Sequence, residues 1–102
     1  MKHTEYHTIG DKLSDISQVE EFVKGLHSVG DEITVTADSV TETYSVKYLN
    51  PDRRAISWIK QSNNWEGYTS TNVIRDIKHL IRDAESYNIT LTFQGKEKKS
   101  DD

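Results

Sequence analysis

Any chemistry in this chain would have to start from histidines and carboxylates, because it contains no cysteine. His79 and Asp83 stand four residues apart, a spacing that sets two side chains on one helix face within reach of a shared ligand. Arg75 precedes them by one turn, and together the three read as a surface charge ladder rather than a metal or catalytic centre. Glu20 and Glu21 are adjacent. Neighbours on a helix diverge by about 100°, so the pair reads as a solvated face and not as a dyad sharing a proton. His27 falls near the end of a helix, where a cationic ring interacts favourably with the helix dipole. Met1, Lys2 and His3 bring an amino group, two amide nitrogens and an imidazole within reach of a square-planar Cu(II) or Ni(II) ion. Any chain that begins this way has that capacity, and no metal role follows from it. There is no G-x-S-x-G, P-loop, H-E-x-x-H, EF-hand or dinucleotide fingerprint. The expectation is a protein with no catalytic residues, no metal and no cofactor.

The basic residues come closest to a functional pattern. Arg75, Lys78 and Arg82 fall along one stripe of a helix, and Arg53 and Arg54 sit at the tip of a hairpin. Such groups can track phosphates, although Asp52, Asp76 and Asp83 are interleaved with them. The formal charge is −4 and unevenly spread. Residues 11 to 42 hold Asp11, Asp15, Glu20, Glu21, Asp31, Glu32, Asp38 and Glu42 against Lys12 and Lys24. That acidic half suits a basic partner surface, whereas the second half is nearly balanced. Net charge bears on solubility and association, not on fold.

These groups must be positioned by a small framework. The chain has 102 residues, enough for one domain, and 33% of them are hydrophobic. Much of the core must therefore come from tyrosine and tryptophan, which bury more area per residue than valine. Residues 1–10 show no period and are expected to be flexible. Ile16, Val19, Phe22, Val23 and Leu26 recur at helical spacing. Ser17 or Ser14 could start that helix, Gly25 weakens its last turn, and Gly30 suits its end. Ile33, Val35 and Ala37 alternate with Thr34 and Thr36, and Tyr44, Val46 and Tyr48 alternate in the next segment. Asn50-Pro51-Asp52 is a turn signal. Residues 53–61 read as a third strand and 65–69 as a fourth, with Asn63-Asn64 as the turn between them.

Val73, Ile74, Ile77, Leu80, Ile81 and Ala84 mark a second helix that Ser70 or Thr71 can cap. Tyr87, Ile89, Leu91 and Phe93 mark a last strand. The charged stretch 95–102 is expected to be disordered. Residues 11–94 thus read as one α+β domain, a two-layer sandwich. Its element order is α-β-β-β-β-α-β, with an antiparallel sheet of four to five strands and two helices on one face. Pairing the last strand beside the first keeps every neighbour antiparallel.

The segment SWIKQSNNWEGY, residues 57–68, concentrates the aromatic residues. A two-residue turn at Asn63-Asn64 pairs Ser62 with Trp65, Lys60 with Gly67 and Trp58 with Thr69. A three-residue loop at 51–53 pairs Val46 with Trp58 and Tyr48 with Ile56. Together they assign Trp58 to the core, Trp65 to the core edge, and Tyr68 with Ile59 to the outer face. The first functional expectation is therefore a small acidic protein-interaction module that also self-associates through its sheet face or edge. By analogy of size and charge it resembles an inhibitor or regulator encoded by a mobile element. Its contact residues are Ile59, Tyr68, Trp65, Glu20 and Glu21. The alternative is a nucleic-acid-binding or regulatory domain using Arg53, Arg54, Arg75, Lys78 and Arg82. Neither a secretory leader nor an apolar run of about 20 residues is visible, so a cytoplasmic protein away from membranes is expected.

Overall fold

The computed structural model describes residues 2–9, 12–25, 27–50, 52, 55–85 and 89–96, with backbone alone for 2–9, 13, 14 and 96. The elements are β1 (Lys2–Ile9), α1 (Lys12–Lys24), β2 (Glu32–Ala37), β3 (Val40–Asn50), β4 (Ala55–Lys60), β5 (Trp65–Tyr68), α2 (Ser70–Asp83) and β6 (Ile89–Lys96). They form an α+β domain with one antiparallel sheet of order β1-β6-β2-β3-β4-β5. The expected placement of the last strand beside the first of the hairpin strands is found in the β2–β6 pair. Both outer limits of the domain differ from expectation. Residues 2–9 are an edge strand, paired with β6 from Lys2 opposite Lys96 to Ile9 opposite Ile89. An edge strand is held by its backbone partner, so it does not need the clean alternation that a half-buried central strand shows. For the same reason, Gly95 and Lys96 belong to β6 rather than to a loose tail. Residues 97–102, Leu26 and Tyr87 lie outside the described residues.

Both helices cover one face of the sheet. Ile16, Val19 and Val23 of α1 and Val73, Ile77 and Ile81 of α2 join Ile33, Val35, Val46, Trp58, Leu91 and Phe93 in a single buried cluster. Phe22 of α1 stacks on Phe93 of β6 with ring centroids 4.8 Å apart. The Tyr44 hydroxyl of β3 donates to Asp76 Oδ2 of α2 at 2.9 Å. The helices run antiparallel: Lys12 donates to the Ala84 and Arg82 carbonyls at the C-terminal end of α2, while Glu20, two turns on, meets Lys78. An ammonium there satisfies carbonyls that no turn of the helix can reach and opposes the negative end of its dipole.

The helix limits follow local chemistry. α1 begins at Lys12, ahead of both serines proposed as its start, and stops at Lys24 before Gly25. Gly30, with φ 97°, instead makes the turn into β2, where a side chain would be strained. α2 is capped by Thr69, one residue before the expected pair. Thr69 Oγ1 accepts from Asn72 N and Asn72 Oδ1 accepts from Thr69 N, each at 3.1 Å.

Two irregularities decide what the sheet exposes. Val46 pairs with Trp58 as expected. An extra residue at Lys47 then shifts the register, so Tyr48 meets Ser57 and Leu49 meets Ile56. A bulge of this kind turns the following side chains over. Leu49 and Ile56 pack on the core, and Tyr48 points outward, 56% exposed. At the other end the loop is four residues, Gln61 to Asn64, with Asn64 at φ 57°. Lys60 pairs with Trp65, and Trp58 pairs with Tyr68 after a second shift. This overturns the assignment of Tyr68 to the outer face: it is buried on the helix side, and Trp65 is the residue left open. Among the described residues, no helix is long and apolar enough to cross a membrane.

Candidate partner-binding surface

The edge strand β5 carries an uncovered aromatic ring. Trp65 is 55% exposed, and its ring meets Tyr68 edge-on with centroids 4.7 Å apart. Beneath it passes the backbone of Gly67, where a Cβ would lie 3.2 Å from Trp65 Cζ2. Glycine at 67 therefore lets the indole lie flat on the strand. Lys60, opposite Trp65, extends over Tyr68 and Tyr44, with its Nζ 5.7 Å and 6.0 Å from the two ring centroids. It also reaches Asp76 Oδ2 at 3.4 Å. The aromatic edge is thus continuous with α2 through Lys60, Tyr44 and Asp76.

Beyond Asp76 a groove of 390 Å³ opens between α2 and the β2–β3 turn. Asp38, Glu42, Asp76 and Asp83 line it, facing Lys60 as the single ammonium, with His79 and Leu80 on the α2 side. Asp38 is bonded to the amide of Glu85 at 2.8 Å, which ties the turn to the end of α2. Glu42 accepts from Ser62 N at 3.3 Å and so reaches the β4–β5 loop. These carboxylates spread along a wall and do not converge: no cluster of three or more metal-ligating side chains occurs among the described residues.

The buried end of this strip has a distinct titration. Burial, and then the Asp76 carboxylate that accepts its proton, push the Tyr44 phenol far above its ordinary range. Burial alone would lower Lys60, but Tyr68 and Asp76 more than offset it and hold the ammonium above its ordinary range. Folding therefore binds the Tyr44 proton more tightly than the unfolded chain does. The resulting stability is intact below the unfolded tyrosine range near ~10 and is lost as pH rises beyond it, by about 1.4 kcal/mol per pH unit. Tyr44→Phe is expected to cost about 1 kcal/mol at neutral pH and to flatten the alkaline decline. Urea unfolding of both proteins across the alkaline range measures this. Parallel curves would show that Tyr44 does not govern it.

A second groove of 420 Å³, with the opposite charge, lies on the other flank of α2, against α1. It gathers Lys24, Arg75, Lys78 and Arg82 with Glu20 as its acid. Glu20 Oε2 accepts from Lys78 at 3.0 Å, and this hydrogen bond and the charge of Lys78 hold the carboxyl below its ordinary range. Of the sequence-derived candidates, Arg75, Lys78 and Arg82 come together here, joined by Lys24. Arg53 and Arg54 lie outside the described residues, as does Met1.

The proposed contact set is divided by the fold. Trp65 stands at the aromatic edge with Tyr68 buried beneath it. Ile59, paired with Ser45, is half-buried on the opposite sheet face. Glu20 belongs to the basic groove, and Glu21 is exposed on α1. Sequence reading missed Lys60 and Asp76 as links in the strip. The signal available was the alternation that puts Lys60 in phase with Trp58. His27, assigned to the dipole at the end of α1, does meet the Val23 carbonyl through Nε2 at 3.0 Å, but it also faces Asp31.

Fold and surface together define a two-layer α+β domain whose second helix separates an acidic, aromatic-edged groove from a basic one. No protein family, curated protein or solved structure matches the chain.

Proposed function

We propose that this chain is a non-enzymatic protein-interaction module that docks a basic segment of its partner along the strip from Trp65 to the carboxylate groove. Trp65 carries this reading. A tryptophan that rests against Tyr68 and the Gly67 backbone, yet is more than half open, has much area left to bury on binding. Such aromatic anchors are typical of energetic centres in interfaces. The adjoining carboxylates supply complementary charge for lysine or arginine, which steers encounter and fixes register. A module of this kind regulates or inhibits its target by occupying the target's basic surface.

The test uses an arginine-rich peptide with an aromatic or aliphatic anchor. Trp58 is buried, so emission accessible to a neutral quencher reports Trp65. Saturable protection of that emission is expected, and Trp65→Ala or Asp83→Lys should weaken binding by tenfold or more. Trp65→Ala should leave unfolding stability within about 0.5 kcal/mol, which separates binding from folding. If no basic peptide protects Trp65 and the protein is a strict monomer, the reading is abandoned.

A second copy of the chain is one partner with the required chemistry, because the basic groove on the far flank of α2 complements the acidic one. Light scattering at low and high salt tests this: association through the two grooves weakens as salt screens them.

A further inference from the structure

The basic groove has features that the docking strip does not use. Arg75, Lys78 and Arg82 follow one another at three- and four-residue intervals along α2, which sets successive cationic groups about 5–6 Å apart at their Cβ atoms. Lys24 approaches from the last turn of α1 and closes the opposite wall. Thr71 adds a hydroxyl, and Ile74 is half-buried among the lining residues. The side chains of Lys24, Arg75 and Arg82 are exposed. Lys78 is engaged by Glu20 at 3.0 Å. In a chain of net charge −4, four cations on two facing helix walls are a concentration that solubility does not require.

We propose that the α1–α2 groove is a binding site for linked phosphates, held by Lys24, Arg75 and Arg82, with Glu20 limiting its affinity by occupying Lys78. Evenly spaced cations on a helix match a ligand whose charges repeat. The guanidinium forks of Arg75 and Arg82 suit bidentate contact with phosphate oxygens. Glu20 is the counter-charge to displace. Any phosphate reaching Lys78 must compete with that carboxylate, so removing its charge strengthens the site.

Two probes, inorganic triphosphate and a single-stranded oligonucleotide, distinguish the sources of such a ligand. Binding is measured by calorimetry for the first and fluorescence anisotropy for the second, at low and rising salt. Either probe is expected to bind, with affinity falling as salt rises. For the oligonucleotide, three phosphate contacts correspond to a log–log slope near −2, at about −0.7 per contact. The double substitution Arg75→Glu and Arg82→Glu should reduce affinity at least tenfold. Lys47→Glu, an exposed cation on β3, should change it less than twofold.

The deciding variant is Glu20→Gln, which unpairs Lys78 without touching the core. It should tighten binding severalfold and steepen the oligonucleotide slope by roughly 0.7. Binding of triphosphate alone assigns the site to free polyphosphates, and binding of the oligonucleotide assigns it to a nucleic-acid backbone. Failure of both probes at low salt overturns the proposal. So does binding that is indifferent to both the Arg75/Arg82 and Glu20 changes.

Discussion

Replacing Trp58 by alanine should destabilise the domain by about 3–5 kcal/mol, the range for removing a large aromatic side chain from a packed core. Trp58 has no exposed surface and lies within the cluster that joins both helices to the sheet. Its ring meets that of His27, in the connection after α1, in a T-shaped pair with centroids 5.1 Å apart. Its Nε1 donates to Ser70 Oγ at 3.0 Å, at the first turn of α2. On the sheet it stands between Val46 and Tyr68. Alanine would therefore leave a cavity between the sheet and the helix layer. Domains of this size have total stabilities of about 5–15 kcal/mol, so the variant should be partly unfolded at moderate temperature. Trp58→Phe keeps most of the ring volume but leaves the Ser70 hydroxyl without its donor, and should cost roughly 1–2 kcal/mol. Shifts in the urea midpoint measure both. A loss below about 1 kcal/mol for alanine would show that the two layers pack independently of this ring.

The sequence made the inner faces of α1, β2, α2 and β6 legible because each repeats an apolar residue at the period of its own element. Ile33, Val35 and Ala37 are buried, as are Val73, Ile77 and Ile81, where the spacing assigns them. The same periodicity is blind to insertions. Lys47 adds one residue to β3, and a second shift adds one to β5 between Trp65 and Tyr68, so Tyr48, Leu49 and Tyr68 exchange sides relative to an unbroken register. No local signal marks the first shift, since Lys47 and Tyr48 are both acceptable strand residues. β1 was missed for a related reason: its pairing comes from the backbone of β6, which leaves no pattern in residues 2–9. The basic groove was half legible. The helix stripe of Arg75, Lys78 and Arg82 is a property of one element, whereas Lys24 and Glu20 join it through antiparallel packing of α1 on α2. The aromatic–acidic strip depends on contacts such as Tyr44 with Asp76, 32 positions apart, which periodicity does not encode.

Asp31→Ala should cost about 1–3 kcal/mol, because it takes the acceptor from the Ser28 amide and the neighbour from the His27 ring. The side chains of His27 and Asp31 are 2% and 4% exposed. His27 Nε2 lies 3.0 Å from the Val23 carbonyl, which can only accept, so that nitrogen carries a hydrogen. Nδ1 lies 3.3 Å from Asp31 Oδ2, and the same oxygen accepts the Ser28 amide at 2.9 Å. The Ser28 amide therefore loses its acceptor, and the imidazole its neighbour, when the carboxylate is removed. Water cannot easily replace it, because Phe22 and Trp58 present ring edges or faces to the imidazole at 5.1 Å. The backbone of Asp31, bonded to Ser28 and Val46, survives the change, so the loss measures the side chain. Asp31→Asn keeps an oxygen for the Ser28 amide and should cost about 1 kcal/mol. A double-mutant cycle with His27→Ala isolates the pair. Residues in direct contact within one network couple by about 0.5–3 kcal/mol, so the double variant should lose less than the sum of the single ones. Additive losses would mean that His27 and Asp31 stabilise the turn separately, the imidazole through Val23 and the carboxylate through Ser28.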